Sequence, residues 1–256
     1  MLYSFEIPTR YLETFYKDQD YLFCIASQAR DSTTYLEFYK DKAKEKYVIL
    51  DSYSADKEES VSFKDLLSLA KEIGVKEIIP SMRLHDYPGT VKRIKDMFTY
   101  LEAKELLNEY AIQLVPQGKT LEEVLNCFSK LDRLPASIPK TFGMPASILK
   151  ATTPYRAEQF RFTILQRLAQ KGLLKNKHIH LLGLNAVQFM KAYKKGQRFF
   201  RIRSINTAFP VALGIAGQTF EQTKKKPAEK INHDMPLIKS TLQNIHKNIK
   251  WLKEYK

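Results

Sequence analysis

Only two cysteines occur in the 256 residues, Cys24 and Cys127. Both sit in apolar surroundings without metal-ligand spacing, which argues against a disulfide framework or a cysteine zinc site and marks them as buried thiols. No apolar run approaches the about 18 residues of a membrane span, and the N-terminus has no signal-peptide pattern, so the expectation is a soluble, cytoplasmic protein. No glycine-rich phosphate turn follows the first strand pattern, which weighs against an open, doubly wound nucleotide-binding sheet. Carboxylates are scarce in one half only. Residues 1–130 hold 18 Lys/Arg against 22 Asp/Glu, whereas residues 131–256 hold 24 against 6. From Arg133 to Phe220, both included, the one acidic residue is Glu158, against fifteen Lys/Arg.

What is present is enough to fold. At 44% hydrophobic and 12% aromatic the chain can build a substantial core. The net charge of +14 is concentrated in the second half and would attract a polyanion, nucleic acid first among them. A membrane surface fits less well, because the basic residues are spread over several elements and do not share one amphipathic helix.

Along the chain, apolar runs alternate with helical patterns. Strands are expected at 21–27, 47–52, 76–80, 111–115, 136–142, 178–182 and 199–205, with residues 1–9 as a short apolar lead-in. Helices are expected at 33–46, from Ser62 to Gly74, at 90–107, from the capping box of Thr120 and Glu123, at 156–174 and at 186–193. Strand–helix alternation implies parallel strands joined by crossovers. An eighth strand, from 210–215 or from the N-terminus, closes a (β/α)₈ TIM-like barrel over residues 1–222. Residues 223–256 then form a basic linker and a C-terminal amphipathic helix packed on the barrel. In a barrel the reacting groups sit at the C-terminal strand ends, where Asp51, Ser81, Gln117, Gly183 and Asn206 all fall.

Several of these strand ends carry short motifs. Asp51-Ser52 ends an apolar strand, and a partly desolvated carboxylate there suits acid/base work as well as a helix cap. Val115-Pro116-Gln117-Gly118 and His180-Leu181-Leu182-Gly183 follow in order. Arg201 and Arg203 alternate with apolar residues ahead of Asn206, candidate phosphate contacts if they face the barrel mouth. Taken together over residues 20–210, the motifs resemble the tRNA-guanine transglycosylase family, most closely its DNA-acting branch, the 7-deazaguanine DNA transglycosylases. The resemblance implies that Asp51 acts at the base and the glycosidic bond. It also implies that Gln117 contacts the base, that Gly118 lets backbone approach it and that Gly183 packs close to it, with His180 mainly structural. Ser52 and Ser81 belong to the same substrate-binding set, and His85 and Asp86 lie in the loop that follows.

The departures are as telling. Where the family has its nucleophilic aspartate this chain has Asn206, and where the DNA branch has Pro-Asp it has Pro80-Ser81. Tyr53 and Ser54 replace two turn glycines, and the zinc site of the family's tRNA-acting branch is missing. An amide is a poor nucleophile, and serine cannot supply a bidentate anionic acceptor. Both changes point away from insertion of a deazaguanine and toward single displacement by water, with Asp51 as base or charge stabiliser. The expectation is a DNA glycosylase without cofactor or metal, acting on an extruded and modified base to leave an abasic site, a chemistry suited to phage defence. Base exchange and a non-catalytic nucleic-acid-binding subunit are the alternatives, and the oligomeric state is left open.

Overall fold

The computed structural model describes all residues except 55–58, 136–139, 150–152, 185, 224–230, 232–234 and 256. In chain order the elements are β1 (Leu2–Phe5), α1 (Leu12–Phe15), β2 (Leu22–Ile25), α2 (Ala26–Asp31), α3 (Thr33–Lys42), β3 (Val48–Asp51) and a small hairpin of β4 (Tyr53–Ser54) and β5 (Glu59–Ser60). There follow α4 (Phe63–Ile73), β6 (Glu77–Ile79), α5 (Tyr87–Ala103), β7 (Ala111–Leu114), α6 (Leu121–Asp132), β8 (Thr141–Pro145) and α7 (Pro154–Gln170). The chain ends with β9 (His178–Leu182), α8 (Phe189–Gly196), β10 (Arg201–Thr207), α9 (Phe209–Ile215) and α10 (Lys239–Glu254). Eight strands form one parallel sheet in the order β1-β10-β9-β8-β7-β6-β3-β2. With helices between them, this is the expected (β/α)₈ barrel.

The sheet is not hydrogen-bonded strand to strand all the way round. Its edges, β1 and β2, meet through the residues ahead of β2. Tyr3 N donates to Asp20 Oδ2 (2.9 Å), Asp20 N to Tyr3 O (2.8 Å), and Gln19 Oε1 accepts from Ser4 Oγ (2.8 Å) and Phe5 N (3.0 Å). Two side chains thereby satisfy edge groups that a ladder would otherwise pair. Helix α10 reinforces this seam, for Lys253 Nζ reaches Asp20 Oδ1 at 2.7 Å. Its buried Ile245, Ile249 and Leu252 pack on α9, and Asn248 bonds the carbonyls of Pro210 and Gln218. The basic linker expected before this helix lies largely outside the described residues.

Pleating separates two apolar layers. Leu22, Cys24, Val48, Leu50, Ile78, Ile112 and Leu114 point outward into the main core beneath the helices. Tyr21, Ile49, Ile79, Val115, Phe23 and Leu182 form a second cluster, the barrel interior. Strand residues two apart share a face. Asp51 therefore faces inward with Ile49, and Gln113 with Val115.

One open alternative is decided and two boundaries move. The eighth strand is β1, and residues 210–215 belong to α9, whose Pro210 sits in the first helical turn where a missing N–H costs nothing. Strand β8 runs from Thr141 to Pro145, and the part of the expected strand at 136–139 lies outside the described residues. Helix α5 starts at Tyr87, capped by Asp86, whose Oδ1 accepts from Gly89 N at 2.9 Å. Finally, β10 runs from Arg201 to Thr207, and its register against β9 slips between Ile202 and Ser204. Among the described residues no helix is long and apolar enough to cross a membrane.

Candidate functional site at the barrel mouth

Because all eight strands are parallel, Asp51, Ser81, Gln117, Gly183 and Asn206 reach the same end of the barrel. Their side chains do different things there. The floor at the opposite end shows why some of the expected roles change.

At the floor, Glu77 is fully buried at the start of β6 and accepts both Arg203 Nη2 (2.6 Å) and Nη1 (2.9 Å). Tyr47 O–H donates to the same carboxylate at 2.5 Å, and Arg203 Nη1 also meets Thr141 Oγ1 at 3.2 Å. The slip in β10 is a bulge that turns Arg203 inward beside Ser204. Arg203 is therefore an internal counter-ion to a buried glutamate and not a phosphate contact at the mouth. Arg201 is exposed, but at the floor end. The condition that made both arginines candidate phosphate contacts, that they face the mouth, is met by neither.

One layer up, His180 is fully buried between Gln113 Oε1 (Nδ1, 3.0 Å), Asn206 Oδ1 (Nε2, 3.1 Å) and Tyr21 Oη (Nε2, 3.3 Å). Burial pushes its pKa down to about 3, the Arg203 charge helps, and the Asn206 bond opposes. A neutral ring carries one N–H. Donated from Nε2 to Asn206 Oδ1, it leaves Nδ1 to accept from Gln113, whose otherwise unpartnered NH₂ end then faces the ring.

The low pKa has a consequence for stability. Between pH 6.5, the ordinary value for the unfolded chain, and about 3, the unfolded state binds a proton that the native state refuses. Stability should therefore fall as the pH falls through this window, by up to about 1.4 kcal/mol per unit from this group. In urea titrations between pH 6.5 and 5, His180→Gln should lose about one proton from the slope of unfolding free energy. An unchanged slope would show that His180 titrates normally.

At the rim, Glu6, Ile7, Phe23, Ile25, Tyr35, Tyr39 and Asn206 line a cleft of ≈ 10 Å³, about the size for one water. Tyr39 O–H donates to Phe23 O (2.8 Å), and Tyr35 Oη accepts from Ile25 N (3.1 Å). Burial raises both phenol pKa values. Asp51 is 8% exposed and pairs in register with Ile25 of this rim. It lies close enough to Cys24 to add to the burial that raises that thiol's pKa, so Cys24 is an inert thiol. Glu6 follows β1, whose Ser4 is in register with Asn206, and Glu6 N bonds Thr207 O at 3.2 Å.

The remaining candidates are engaged elsewhere. Gln117 is fully buried, its Oε1 accepting from His85 N (3.2 Å) and its Nε2 touching Met82 Sδ (3.1 Å), so it holds the 81–89 loop. Gly118 is glycine because a Cβ would stand 2.7 Å from Glu123 Cβ and from Val124 N. Ser81 Oγ is bound by Arg93 Nη1 at 2.5 Å, and Ser52 is buried against the hairpin, 3.5 Å from Ser60 Oγ. Asp86 is a helix cap. Gly183 has φ +77° and donates its N–H to Asn206 O (3.0 Å), fixing the strand end beside the cleft.

Reading the sequence alone missed Glu6, Tyr35 and Tyr39, and it missed Arg161, which is buried beneath the ends of β8 and β9. Glu6 had a signal. It follows an apolar strand as Asp51 does, and the N-terminus as the eighth strand, one of the two alternatives weighed, puts it at the mouth.

No protein-family model matches the sequence, and a search of curated proteins finds no match. Among solved structures, an IolI protein with a bound zinc is similar at 11% identity over 100% of this chain and 99% of that one, with a TM-score of 0.52. N-acetylneuraminate lyase from Mycoplasma synoviae gives 12% identity, coverage of 97% and 90%, and a TM-score of 0.43. For a lysine/ornithine decarboxylase from Vibrio vulnificus the values are 11%, 78% and 52%, and 0.39, this chain spanning about half that protein's length. Among the described residues no group of three or more His, Cys, Asp or Glu side chains comes together to hold a metal ion. At these identities the likeness is one of fold, and the fold is that of a TIM barrel.

Proposed function

We propose that the chain hydrolyses an N-glycosidic bond in DNA at the barrel mouth, with Asp51 as the acting carboxylate. The observation that carries this reading is the inward-facing, nearly buried Asp51 at the end of β3, at the same end of the barrel as Asn206. In the step, water oxygen bonds to C1′ as the C1′–N bond breaks, and the base leaves with the bonding electrons and a proton. Asp51 takes a proton from that water or steadies the positive sugar. Asn206, committed to neutral His180, orients and does not attack.

Base release from duplex and single-stranded DNA, with ordinary and modified bases, tests the proposal. Free base and alkali-labile abasic sites are expected, and their absence from every substrate would sink it. Base exchange is tested by Asn206→Asp. The new carboxylate should raise the His180 pKa and give neither faster base release nor a trapped covalent adduct. A large gain with an adduct would instead mark the position as a vacant nucleophile's.

A second reading, a nucleic-acid-binding protein without catalysis, has two observations in its favour. The cleft takes about one water, so a base enters only if rim side chains move. In addition, the exposed arginine of β10 sits at the floor, away from the mouth.

A further inference from the structure

We infer that the floor of the barrel carries a binding groove for single-stranded nucleic acid, formed by the α7–β9 and α8–β10 turns. Helices in this fold run back from mouth to floor, so the two turns lie side by side at the N-terminal ends of β9 and β10. Residues Leu174 to His178 and Gln197 to Arg201 line a groove of ≈ 410 Å³ between them. Lys175, Arg198 and Arg201 are exposed, and among the described residues none of them pairs with a carboxylate. Lys177 is partly neutralised by Asp132 at 2.6 Å. His178 has a lowered pKa through burial and then through Arg201 and Arg203, a local sign of positive potential.

Helix C-termini attract basic residues for their own dipoles, and this accounts for Arg167, Lys194 and Lys195 in the last turns of α7 and α8. Lys175, Arg198 and Arg201 lie beyond both helices. The one carboxylate between 133 and 220, Glu158, is fully buried against Arg161, so that stretch presents no acidic side chain to oppose them. In the groove stands Phe199, 63% exposed, with the Arg198 guanidinium 4.7 Å from its ring centre. Cations spaced around an exposed aromatic fit a sugar-phosphate strand whose base stacks on the ring. A lipid surface fits less well, because the aromatic sits in a concavity between charged turns and not on an apolar bulge.

The inference deepens the reading of the chain as a nucleic-acid protein and rests on it for the partner. The test is fluorescence anisotropy of a labelled oligothymidylate of about 16 nucleotides with the full chain. The variants are Phe199→Ala and the triple Lys175→Ala/Arg198→Ala/Arg201→Ala, with circular dichroism to confirm folding. Phe199→Ala should weaken binding about tenfold or more. The triple variant should weaken it further and reduce the slope of log affinity against log salt by about 2, from three lost phosphate contacts. If the triple variant binds as the wild type does, the groove is wrong while the nucleic-acid reading survives. If the wild type binds no oligonucleotide but does bind phosphatidylserine vesicles, the groove is a lipid site and both readings fall. Binding that depends on the groove without any base release leaves the groove standing and removes the glycosylase.

Discussion

Asp51→Asn should lower base release by about 10²–10⁴-fold, the range for loss of a positioned general base or charge-stabilising carboxylate. The substitution keeps size and hydrogen-bonding shape at the end of β3, so the fold should hold. Nucleic-acid affinity should change little if the strand is held at the floor. Glu6 is a second carboxylate at this end of the barrel, and Glu6→Gln is the natural comparison. The larger loss in Glu6→Gln would move the chemistry from β3 to β1. A wild-type rate of base release from Asp51→Asn, measured by single-turnover kinetics, would end the proposed mechanism.

The second large effect is one of stability. Arg161→Ala should cost about 3–5 kcal/mol, a large fraction of the 5–15 kcal/mol that holds a typical domain together. The Arg161 and Glu158 side chains are both wholly buried, with Nη2 2.5 Å from Glu158 Oε2. Its Nε donates to Tyr193 Oη (3.0 Å), and that hydroxyl donates to Glu158 at 2.6 Å. Its Nη1 binds the carbonyls of Met144 (3.1 Å), Leu182 (3.2 Å) and Gly183 (2.7 Å). Removing the guanidinium leaves a buried carboxylate and three carbonyls without this partner. The double variant Arg161→Met/Glu158→Leu should recover much of the loss, since the remaining charge is gone too. It should not recover activity, because nothing then clamps the Gly183 turn whose N–H holds Asn206 O. Urea unfolding of the three proteins measures this. A cost under about 1 kcal/mol for Arg161→Ala would mean the network is solvated in solution.

The alternation of apolar runs with helical periods, the buried thiols, the caps at Ser62 and Thr120 and the one-sided charge of the second half were all legible along the chain. So was the position of Asp51 at a strand end, because an apolar run that stops at a carboxylate is a local signal. These features depend on residues a few positions apart, where backbone geometry alone sets what faces what.

What lies across the barrel was not legible. Arg203 and Glu77 are 126 residues apart, and their pairing needs the strand order together with a bulge that no local pattern announced. Gln117 and the 81–89 loop meet 32 residues apart for the same reason. The charge excess was plain in the sequence, but only the antiparallel return of the helices put Lys175, Arg198 and Arg201 at the floor. Pairing of buried polar groups is decided by which strands become neighbours and which way each pleat points, and the tertiary structure alone settles that.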